Sequence, residues 1–371
     1  MKKISLELQW AIGKKTGVGW YIYNIVRELN KSRKNEYVAE FVNFLNKYDA
    51  RKEINCDIEI KENKLMPYKI YNFLTKKLNI SHNLIFGTKS DIYHFFNFTI
   101  PKNIKGKVIN TIYDTVFISA PETMGDRKTL KEYKYGAQKS DLIITISESA
   151  RKDIVDHLKV PKEKIKIIYP GIDFEKYSRG IEENKLRKIR GKYKLPKKYI
   201  LYLGTIEPRK NIVRIINSFL EYRNLTKSDI KLVIAGGKGW KYEKIMKLVD
   251  QNKQNIILTG YIEEEDKIPL YKMAEIFVFP SLYEGFGMPV LEAMACGVPV
   301  ITSNVSSLPE VAGKAAILVN PLKVEEMTDA YSKILSNEEF RKKMIEEGIE
   351  QSKKFQWKES ARKLEKIYEE L

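Results

Sequence analysis

The chain has 371 residues, 43% of them hydrophobic, which is enough for two domains with cores of their own. A net charge of +18 allows an anionic partner, but the excess is spread evenly, with 31 Lys and Arg against 21 Asp and Glu in residues 1–175 and 35 against 27 in the rest. Because a nucleic-acid-binding module concentrates its charge, this spread argues against one, and two cysteines exclude a disulfide framework and a cysteine zinc site.

The first half of the chain alternates short β-rich runs with helical patterns. Helices are expected at 18–30 and 148–158, and the predicted strands are KISLEL, EFVNFL, DIYHFF, KVINTIYD, DLIITIS and IKIIYPG. Alternation at this spacing predicts a parallel sheet with crossover helices. Gly17 and Gly19 precede the first helix as Gly-x-Gly, which lacks the third glycine of a dinucleotide fingerprint, so a plain turn is the alternative.

Residues 66–80 form a basic amphipathic pattern. A helix here places four apolar side chains on one face, namely Ile70, Phe73, Leu74 and Leu78, with lysines elsewhere. Such a helix can dock on anionic lipid and so reach a lipid-linked acceptor. Packing of the apolar face on the helix's own domain is the interpretation we favour, because most amphipathic helices face a core.

The second half repeats the alternation. Its predicted elements are helices at 210–222, 241–252 and 325–335 and the strands YILYLG, KLVIAGG, NIILTG, EIFVFPS, VPVITS and AAILVN. The strands are continuous apolar runs, as expected for sheets that are covered on both faces. We therefore expect two doubly wound α/β domains, residues 1–172 and 173–352, with the boundary near IIYPGIDFEKYSRG. The last segment, 353–371, has the pattern of an amphipathic helix.

The segment LYLGTIEPRKN contains adjacent cations after a strand. The strand runs to Gly204, and a loop then presents Arg209 and Lys210 at the start of the next helix. Two cations at a strand end can neutralise a leaving diphosphate. A surface Arg-Lys pair is the alternative, although the preceding proline and the following apolar helix favour a positioned loop.

The segment SLYEGFGMPVLEAMACG has two glutamates, Glu284 and Glu292, around a glycine turn that opens a helix. The free N–H groups of the first helical turn and the helix dipole favour an anion, and glycines let a phosphate approach the backbone. Since a phosphate repels carboxylates, we interpret both acids as acceptors for sugar hydroxyls on either side of a diphosphate. For the pattern alone, a capping Glu284 and a solvated Glu292 are about equally plausible.

With these motifs the sequence resembles glycosyltransferase family 4, the retaining enzymes of GT-B fold. The match is carried by TGVGWYIYNIVREL, DIYHFFNFTIP, DLIITISESARKDI, IIYPGID, LYLGTIEPRKNI, LVIAGG and FPSLYEGFGMPVLEAMACGVPVITSNVSSLPEVAGKAAILVNP. It covers nearly the whole chain apart from about residues 45–90, and Glu-x7-Glu at 284 and 292 is its most specific part. The implied fold is two Rossmann-like domains that face each other across a cleft.

The resemblance also implies roles for residues. The first domain receives the acceptor, the second binds a nucleotide-diphosphate sugar, and the final helix packs on the first domain. Glu292 is the implied ribose-binding acid, Glu284 the acid on the transferred sugar, and Arg209 with Lys210 the cations on the diphosphate. The further implied nucleotide-sugar-binding residues are Gly17, Gly19, Gly204, Gly236, Tyr261, Ile262, Gly285, Phe286, Gly287 and Met288.

The sequence departs from the family's pattern at two positions. Many relatives have His-Asp after the acceptor loop, whereas the matching residues here are Tyr113 and Asp114. The hydroxyl of Tyr113 either supplies the missing hydrogen bond to the sugar or leaves it unmade. The second departure is at Thr205, where many relatives carry a cation. The nearby Arg209 resembles the subgroup that has PRKN.

The resemblance implies a front-face retaining transfer, in which the diphosphate leaves and the acceptor hydroxyl enters on the same side of the sugar. The sequence has no Asp-x-Asp motif, so we expect neither a metal nor a further cofactor. Two rivals remain, a nucleotide-sugar epimerase of this fold and a basic nucleic-acid-binding protein. We expect a cytoplasmic enzyme of glycan or cell-envelope polysaccharide synthesis, with peripheral contact to an anionic membrane as an open alternative; its base, sugar and acceptor are left open.

Overall fold

The computed structural model describes residues 1–119 and 127–371. Contacts divide the described residues into two compact units. Unit 1 consists of residues 1–119, 127–171 and 357–371, and unit 2 of residues 172–356. Each unit is built around one parallel sheet, as the alternation of strands and helices predicts.

Unit 1 has its strands in the order β3-β2-β1-β4-β5-β6-β7. The strands are β1 (Lys3–Glu7), β2 (Glu36–Val42), β3 (Glu59–Asn63), β4 (Ile92–Phe95), β5 (Lys107–Thr111), β6 (Leu142–Thr145) and β7 (Ile165–Ile167). The helices are α1 (Gly17–Ser32), α2 (Ala50–Ile54), α3 (Tyr68–Lys76), α4 (His82–Phe86), α5 (Val116–Ser119), α6 (Arg127–Lys139) and α7 (Glu148–Leu158). All neighbouring strands pair in parallel, so their carboxyl ends share one edge.

Unit 2 has its strands in the order β10-β9-β8-β11-β12-β13, again all parallel. The strands are β8 (Tyr199–Leu203), β9 (Lys231–Ala235), β10 (Ile256–Gly260), β11 (Ile276–Phe279), β12 (Val300–Ser303) and β13 (Ala316–Val319). The helices are α8 (Phe174–Ser178), α9 (Glu183–Lys192), α10 (Ile212–Thr226), α11 (Glu243–Gln251), α12 (Lys267–Lys272), α13 (Met288–Ala295), α14 (Leu308–Ala312), α15 (Val324–Ser336) and α16 (Glu338–Ser352).

The last helix, α17 (Trp357–Glu370), belongs to unit 1 although it follows unit 2 in the chain. Its Leu364 and Tyr368 are fully buried, and the Tyr368 hydroxyl lies 2.6 Å from His94 Nδ1 in β4. Lys2 donates through Nζ to the carbonyl of Tyr368 at 3.0 Å. The helix therefore completes the core of unit 1. None of the helices in the described residues is both long and apolar enough to cross a membrane.

The structure corrects the sequence analysis at the second strand. The predicted run EFVNFL spans residues 40–45, but β2 ends at Val42 and a short 3-10 turn, Phe44–Asn46, follows. Residues Glu36 to Glu40 pair with β1 in register. The strand therefore begins at Glu36, before the predicted run EFVNFL, and ends inside it. Strand β3 was not predicted at all, because three of its five residues are charged and it is an edge strand with little burial.

The preferred interpretation of residues 66–80 is also wrong. Helix α3 buries Tyr71 and Thr75, whereas Ile70 and Phe73 are 48% and 54% exposed. Leu78, just after the helix, is 56% exposed. The side of the helix that carries Tyr71 and Thr75 packs inward instead, where the Tyr71 hydroxyl lies 2.8 Å from Nδ1 of the buried His82. The apolar face of α3 consequently lies on the surface of unit 1.

Candidate functional site

The site in unit 2 begins where β11 ends at Phe279. The loop 280–287 returns the chain to α13, and its glycines are buried. Gly287 has φ 120°, a conformation that side chains rarely adopt, and a Cβ at this position would lie 2.7 Å from Leu308 Cδ2. Glycine is therefore required for the loop to pass under Leu308 and open the helix. Met288, the first helical residue, is half-buried.

Two hydroxyls from the loop after β12 (Val300–Ser303) fix this turn. Ser307 donates to the carbonyls of Glu284 and Phe286 at 2.9 and 2.6 Å. The backbone N–H of Glu284 donates to Ser306 at 3.0 Å, and Phe286 packs edge-on against Phe355. Both sides of the glycine turn are thus held before any ligand binds, which keeps the N-terminus of α13 pre-organised.

The carboxylate of Glu284 binds both predicted cations. Lys210 Nζ lies 2.6 Å from Oε1, and Arg209 Nη1 lies 3.0 Å from Oε2. Glu284 is only 9% exposed, and both cations are largely buried as well. The alternative in which Glu284 caps α13 is therefore wrong, because its oxygens are taken up by the cations. We call Arg209, Lys210 and Glu284 the ion triad.

Burial and charge oppose each other within the ion triad. Burial alone would raise the pKa of Glu284, but the charges of Lys210 and Arg209 outweigh it and hold that pKa below its ordinary value. Burial lowers the pKa of Lys210, in spite of the attraction of Glu284. Since desolvation largely offsets the stabilisation from buried ion pairs, such a triad contributes little to folding and indicates a site for a charged ligand.

Arg209 is oriented by further contacts. It donates through Nη2 to Glu207 Oε1 at 2.7 Å and through Nη1 to the carbonyl of Tyr283 at 2.7 Å. The other oxygen of Glu207 accepts from Trp240 Nε1 at 3.1 Å. A guanidinium held on several sides keeps one geometry, which suits the recognition of an oxyanion.

The loop that carries the cations is fastened to the loop after β11. Pro208–Lys210 form a 3-10 turn, and Asn211 follows with φ 62° before α10 begins. The Asn211 amide donates to the carbonyls of Pro280 and Pro321 at 3.1 and 2.6 Å. The N–H of Leu282 donates to the carbonyl of Arg209 at 2.8 Å. The triad is therefore assembled from two strand ends that share backbone contacts.

Glu292 lies in α13 and is buried. Its Oε1 accepts from the Tyr177 hydroxyl at 3.1 Å, and its Oε2 accepts from the Tyr271 hydroxyl at 2.9 Å. The alternative of a solvated helix residue is therefore wrong. Burial and the charge of Glu292 raise the pKa of both tyrosine hydroxyls above the ordinary value, so the hydroxyls remain donors to this carboxylate.

Two more predicted glycines lie at the ends of β8 and β9. The N–H of Gly204 donates to the carbonyl of Ala235 at 2.9 Å, and Gly236 has φ 142°. A Cβ on Gly236 would lie 1.9 Å from the carbonyl oxygen of Gly204, so the two backbones pass each other in contact. After β10, Tyr261 is 56% exposed and Ile262 is buried. All four residues follow the carboxyl ends of neighbouring strands.

The predicted residues of unit 1 lie at the equivalent edge of the other sheet. Gly17 opens α1, and a Cβ on Gly19 would lie 2.4 Å from the carbonyl oxygen of Trp10, so Gly19 permits a close backbone approach. The Tyr113 hydroxyl donates to the carbonyl of Phe96 at 3.3 Å. Asp114 accepts from the N–H of Val116 at the start of α5.

The structure thus brings Arg209, Lys210 and Glu284 into contact and holds Glu292 in the same helix-and-loop segment. The other four predicted residues, Gly17, Gly19, Tyr113 and Asp114, belong to unit 1, which is built on its own sheet. Sequence reasoning missed four residues that support the site: Tyr177, Glu207, Trp240 and Tyr271. Glu207 could have been found, because it is an acid only two residues before Arg209. Trp240 and the two tyrosines are distant in sequence from the residues that they contact, and no motif marks them.

Two family models match the chain. Residues 184–351 match the model described as Glycosyl transferases group 1, and residues 15–176 match the model described as Glycosyltransferase Family 4. The first match contains the ion triad and Glu292, and the second contains Gly17, Gly19 and the ends of strands β2–β7.

Curated relatives include bacterial mannosyltransferases. The chain is 33% identical over 275 residues to the O-antigen chain mannosyltransferase B of Escherichia coli, covering 72% of this chain and 71% of that protein. It is 28% identical over 294 residues to the serotype-specific mannosyltransferase WbdA of Escherichia coli, covering 76% of this chain but only 36% of that protein. The chain therefore matches about a third of the length of WbdA.

Among solved structures, Anabaena Alr3699/HepE in complex with UDP-glucose superposes with a TM-score of 0.75. The two chains are 15% identical, and the match covers 100% of each. At this identity the likeness concerns the fold, two Rossmann-like parallel-sheet domains of GT-B type.

Proposed function

The chain belongs to glycosyltransferase family 4, and from this premise we propose that it transfers a mannosyl group from a nucleoside diphosphate mannose to a hydroxyl of a glycan acceptor, with retention at the anomeric carbon. It is a glycosyltransferase of GT-B fold. The observation that carries the proposal is the buried ion triad at the N-terminus of α13. The choice of mannose rests on the names of the curated relatives.

The ion triad supports diphosphate binding through charge. Arg209 and Lys210 already neutralise one carboxylate in a desolvated site, so an entering diphosphate gains two positioned cations without reorganising them. The helix dipole at the N-terminus of α13 adds partial positive charge on the same anion. Glu284, freed from part of its pairing, then accepts hydrogen bonds from hydroxyls of the transferred sugar.

Glu292 supports the proposal from the nucleoside side. A buried carboxylate that accepts hydroxyl hydrogen bonds from Tyr177 and Tyr271 can accept ribose hydroxyls in their place or beside them. Exposed Tyr261 and buried Ile262 follow β10 and offer an apolar face for the base.

The chemistry then needs only positioning and charge stabilisation. The bond between the anomeric carbon and the diphosphate oxygen breaks, and the acceptor oxygen bonds to that carbon on the same face. The acceptor proton passes to the leaving phosphate oxygen. Arg209, Lys210 and the N-terminal dipole of α13 stabilise the charge that develops on the diphosphate, so the proposed reaction is metal-independent. Tyr113 and Asp114 of unit 1 are proposed to hydrogen-bond sugar hydroxyls.

The test is a donor panel with the full chain. GDP-mannose, UDP-glucose and ADP-glucose are incubated with methyl α-mannoside and mannobioses, with and without EDTA, and products are analysed by mass spectrometry and NMR. We expect mannose transfer from one nucleoside diphosphate donor, an α-linked product and equal rates with EDTA. Conversion of the donor's sugar to its epimer without transfer indicates an epimerase, a β-linked product overturns retention, and inhibition by EDTA overturns metal independence.

We also propose that the apolar face of α3 docks on anionic lipid. Ile70, Phe73 and Leu78 are exposed together, and Lys69 and Lys77 lie exposed beside them. Apolar side chains flanked by two lysines match an anionic bilayer surface, where the apolar side chains enter the interface and the ammonium groups meet phosphates. Such contact would bring a lipid-linked acceptor to unit 1.

Cosedimentation with phosphatidylglycerol vesicles tests this docking. We expect the wild type to bind at low salt and release as salt rises, and the double variant Ile70→Ser/Phe73→Ser to lose binding. Leu225→Ser removes an equally exposed apolar side chain from α10 in unit 2 and should bind like the wild type. The same binding by both variants, or none by the wild type, would remove the proposal.

A further inference from the structure

Glu7 is a buried acid that the functions described so far do not use. It is the last residue of β1 and is 7% exposed. Its Oε1 accepts from the N–H of Gln9 at 3.3 Å, and its Oε2 has no hydrogen-bond partner among residues 1–119 and 127–371. A buried carboxylate oxygen without a donor costs free energy, so its retention calls for a ligand that supplies one.

Asn97 repeats this situation on the neighbouring strand. It follows β4 and is 6% exposed. Its Nδ2 donates to the Tyr68 hydroxyl at 3.4 Å, while its Oδ1 finds no donor within the described part of the chain. Glu7 pairs in register with Phe95, the last residue of β4, and Asn97 follows two residues later. The Tyr68 hydroxyl, which accepts from Asn97, also lies within electrostatic reach of Glu7, so the two side chains lie near one another.

A second acid, on the neighbouring strand β2, provides a contrast. Glu40 of β2 pairs in register with Glu7 and is equally buried. Its oxygens accept from Ser5 at 2.7 Å and bind His82 Nε2 at 2.6 Å. The fold therefore supplies hydrogen-bond partners to both oxygens of the buried Glu40 carboxylate. It leaves Glu7 Oε2, at the end of β1, without a partner in the described residues.

Groups around Glu7 complete a polar cluster at the carboxyl edge of the sheet. Burial raises the pKa of the Tyr68 hydroxyl, and the charge of Glu7 adds to the rise. Burial likewise raises the pKa of the Tyr113 hydroxyl. Lys76 of α3 donates to Thr99 at 3.0 Å, just beyond Asn97. Ligands of open parallel sheets bind at this edge, where Tyr113 is already proposed to hydrogen-bond a sugar hydroxyl.

We infer that Glu7 and Asn97 bind adjacent hydroxyls of the glycan acceptor, through one hydrogen bond each at Glu7 Oε2 and Asn97 Oδ1. Two unpartnered polar groups on neighbouring strand ends suit a polyol, whose hydroxyls both donate and accept. This assignment rests on the proposed transfer, because it places the acceptor in unit 1. Sites built to hydrogen-bond hydroxyls discriminate strongly against ligands without them, so the pair also selects the acceptor.

Steady-state kinetics with a mannobiose acceptor test the assignment. Glu7→Gln keeps the bond to Gln9 but removes the carboxylate, and Asn97→Leu removes the amide at similar volume. We expect either variant to raise the KM for mannobiose at least tenfold. The KM for the nucleotide sugar and the rate of its hydrolysis without acceptor should stay within twofold of the wild type. Glu40→Gln is the matched control, with mannobiose KM unchanged.

An unchanged KM for mannobiose in both variants overturns the assignment, and so does an equal rise in the KM for the donor. Failure of the wild type to transfer sugar contradicts the proposed function instead. In that case saturation-transfer NMR with mannobiose alone decides, since it needs no donor. Binding by the wild type that is lost in Glu7→Gln supports the site, and absence of binding by the wild type overturns it.

Discussion

At the scale of single residues, Glu284 shows a buried charge that ligand binding explains better than stability does. Two cations share its carboxylate in a desolvated site, and each is a better partner for a diphosphate than for a lone carboxylate. The carboxylate holds the cations in place while the site is empty. Removing a member of the triad should therefore affect the reaction more than the fold.

We expect Lys210→Met to lower kcat by about 100- to 1000-fold, because it removes a positioned charge from the leaving group. Its effect on stability should be smaller, since Glu284 keeps its ion pair with Arg209 and is not left as an unpaired buried charge. Lys342→Met, on the exposed face of α16, is the control and should keep wild-type kinetics. Loss of activity that parallels loss of folded protein would contradict this interpretation.

The open carboxylate of Glu7 makes a prediction for pH. Burial raises the pKa of Glu7 to about 8; the nearby charge of Glu40 adds to the rise and that of Lys76 opposes it. Tyr68, Tyr71 and Tyr113 also face it. Between pH 4.5 and 8 the folded state keeps a proton that the unfolded state has released, so the free energy of unfolding falls as pH rises through this window.

We therefore expect Glu7→Gln to gain stability over the wild type between pH 5 and pH 8.5, by roughly 1–4 kcal/mol. Urea denaturation at both pH values measures it. Glu40→Gln instead weakens hydrogen bonds that are already made and should be less stable than the wild type at both pH values. A stability difference for Glu7→Gln that does not change with pH would contradict the raised pKa.

At the scale of elements, periodicity predicted the two parallel sheets because their strands are buried on both faces and read as apolar runs. Strand β3 escaped because an edge strand need not be apolar. Helix α3 had the right period but the wrong face, since the hydroxyls of Tyr71 and Thr75 are satisfied inside and Phe73 is left outside. Hydropathy records no such hydrogen bonds.

The candidate site was also predictable only in part. Arg209, Lys210 and Glu284 are carried by motifs that place each at a strand end, and adjacent strand ends of a parallel sheet meet. The tyrosines on Glu292 come from α8 and α12, and only the folded chain brings them to it. In the sequence, Glu7 is a charged residue within the predicted strand KISLEL, and no motif singles it out.

Between elements, the turn after β9 depends on a glycine. Gly236→Ala places a Cβ at φ 142° and 1.9 Å from the carbonyl oxygen of Gly204, so we expect a loss of more than about 2 kcal/mol in the free energy of unfolding. Gly237→Ala meets nothing within 4 Å and should change stability by less than about 0.5 kcal/mol. Equal effects in urea denaturation would contradict the required close approach.

At the scale of the whole molecule, chain order and structural order differ at the carboxyl terminus. Helix α17 follows unit 2 in sequence but contributes Leu364 and Tyr368 to the core of unit 1. The chain therefore finishes unit 1 only after all of unit 2 has been made. The Tyr368 hydroxyl also binds His94, and burial lowers the pKa of that imidazole to about 3, so it stays neutral inside.

We expect truncation after Gln356 to destabilise unit 1 selectively, because it exposes the core that Leu364 and Tyr368 fill. Hydrogen exchange should then increase across β1–β7 and stay at wild-type levels across β8–β13. The point variant Leu364→Ala should cost about 2–5 kcal/mol, whereas Lys366→Ala on the exposed face should cost little. Exchange that rises equally in both sheets would mean that the last helix stabilises the molecule as one cooperative unit rather than unit 1 alone.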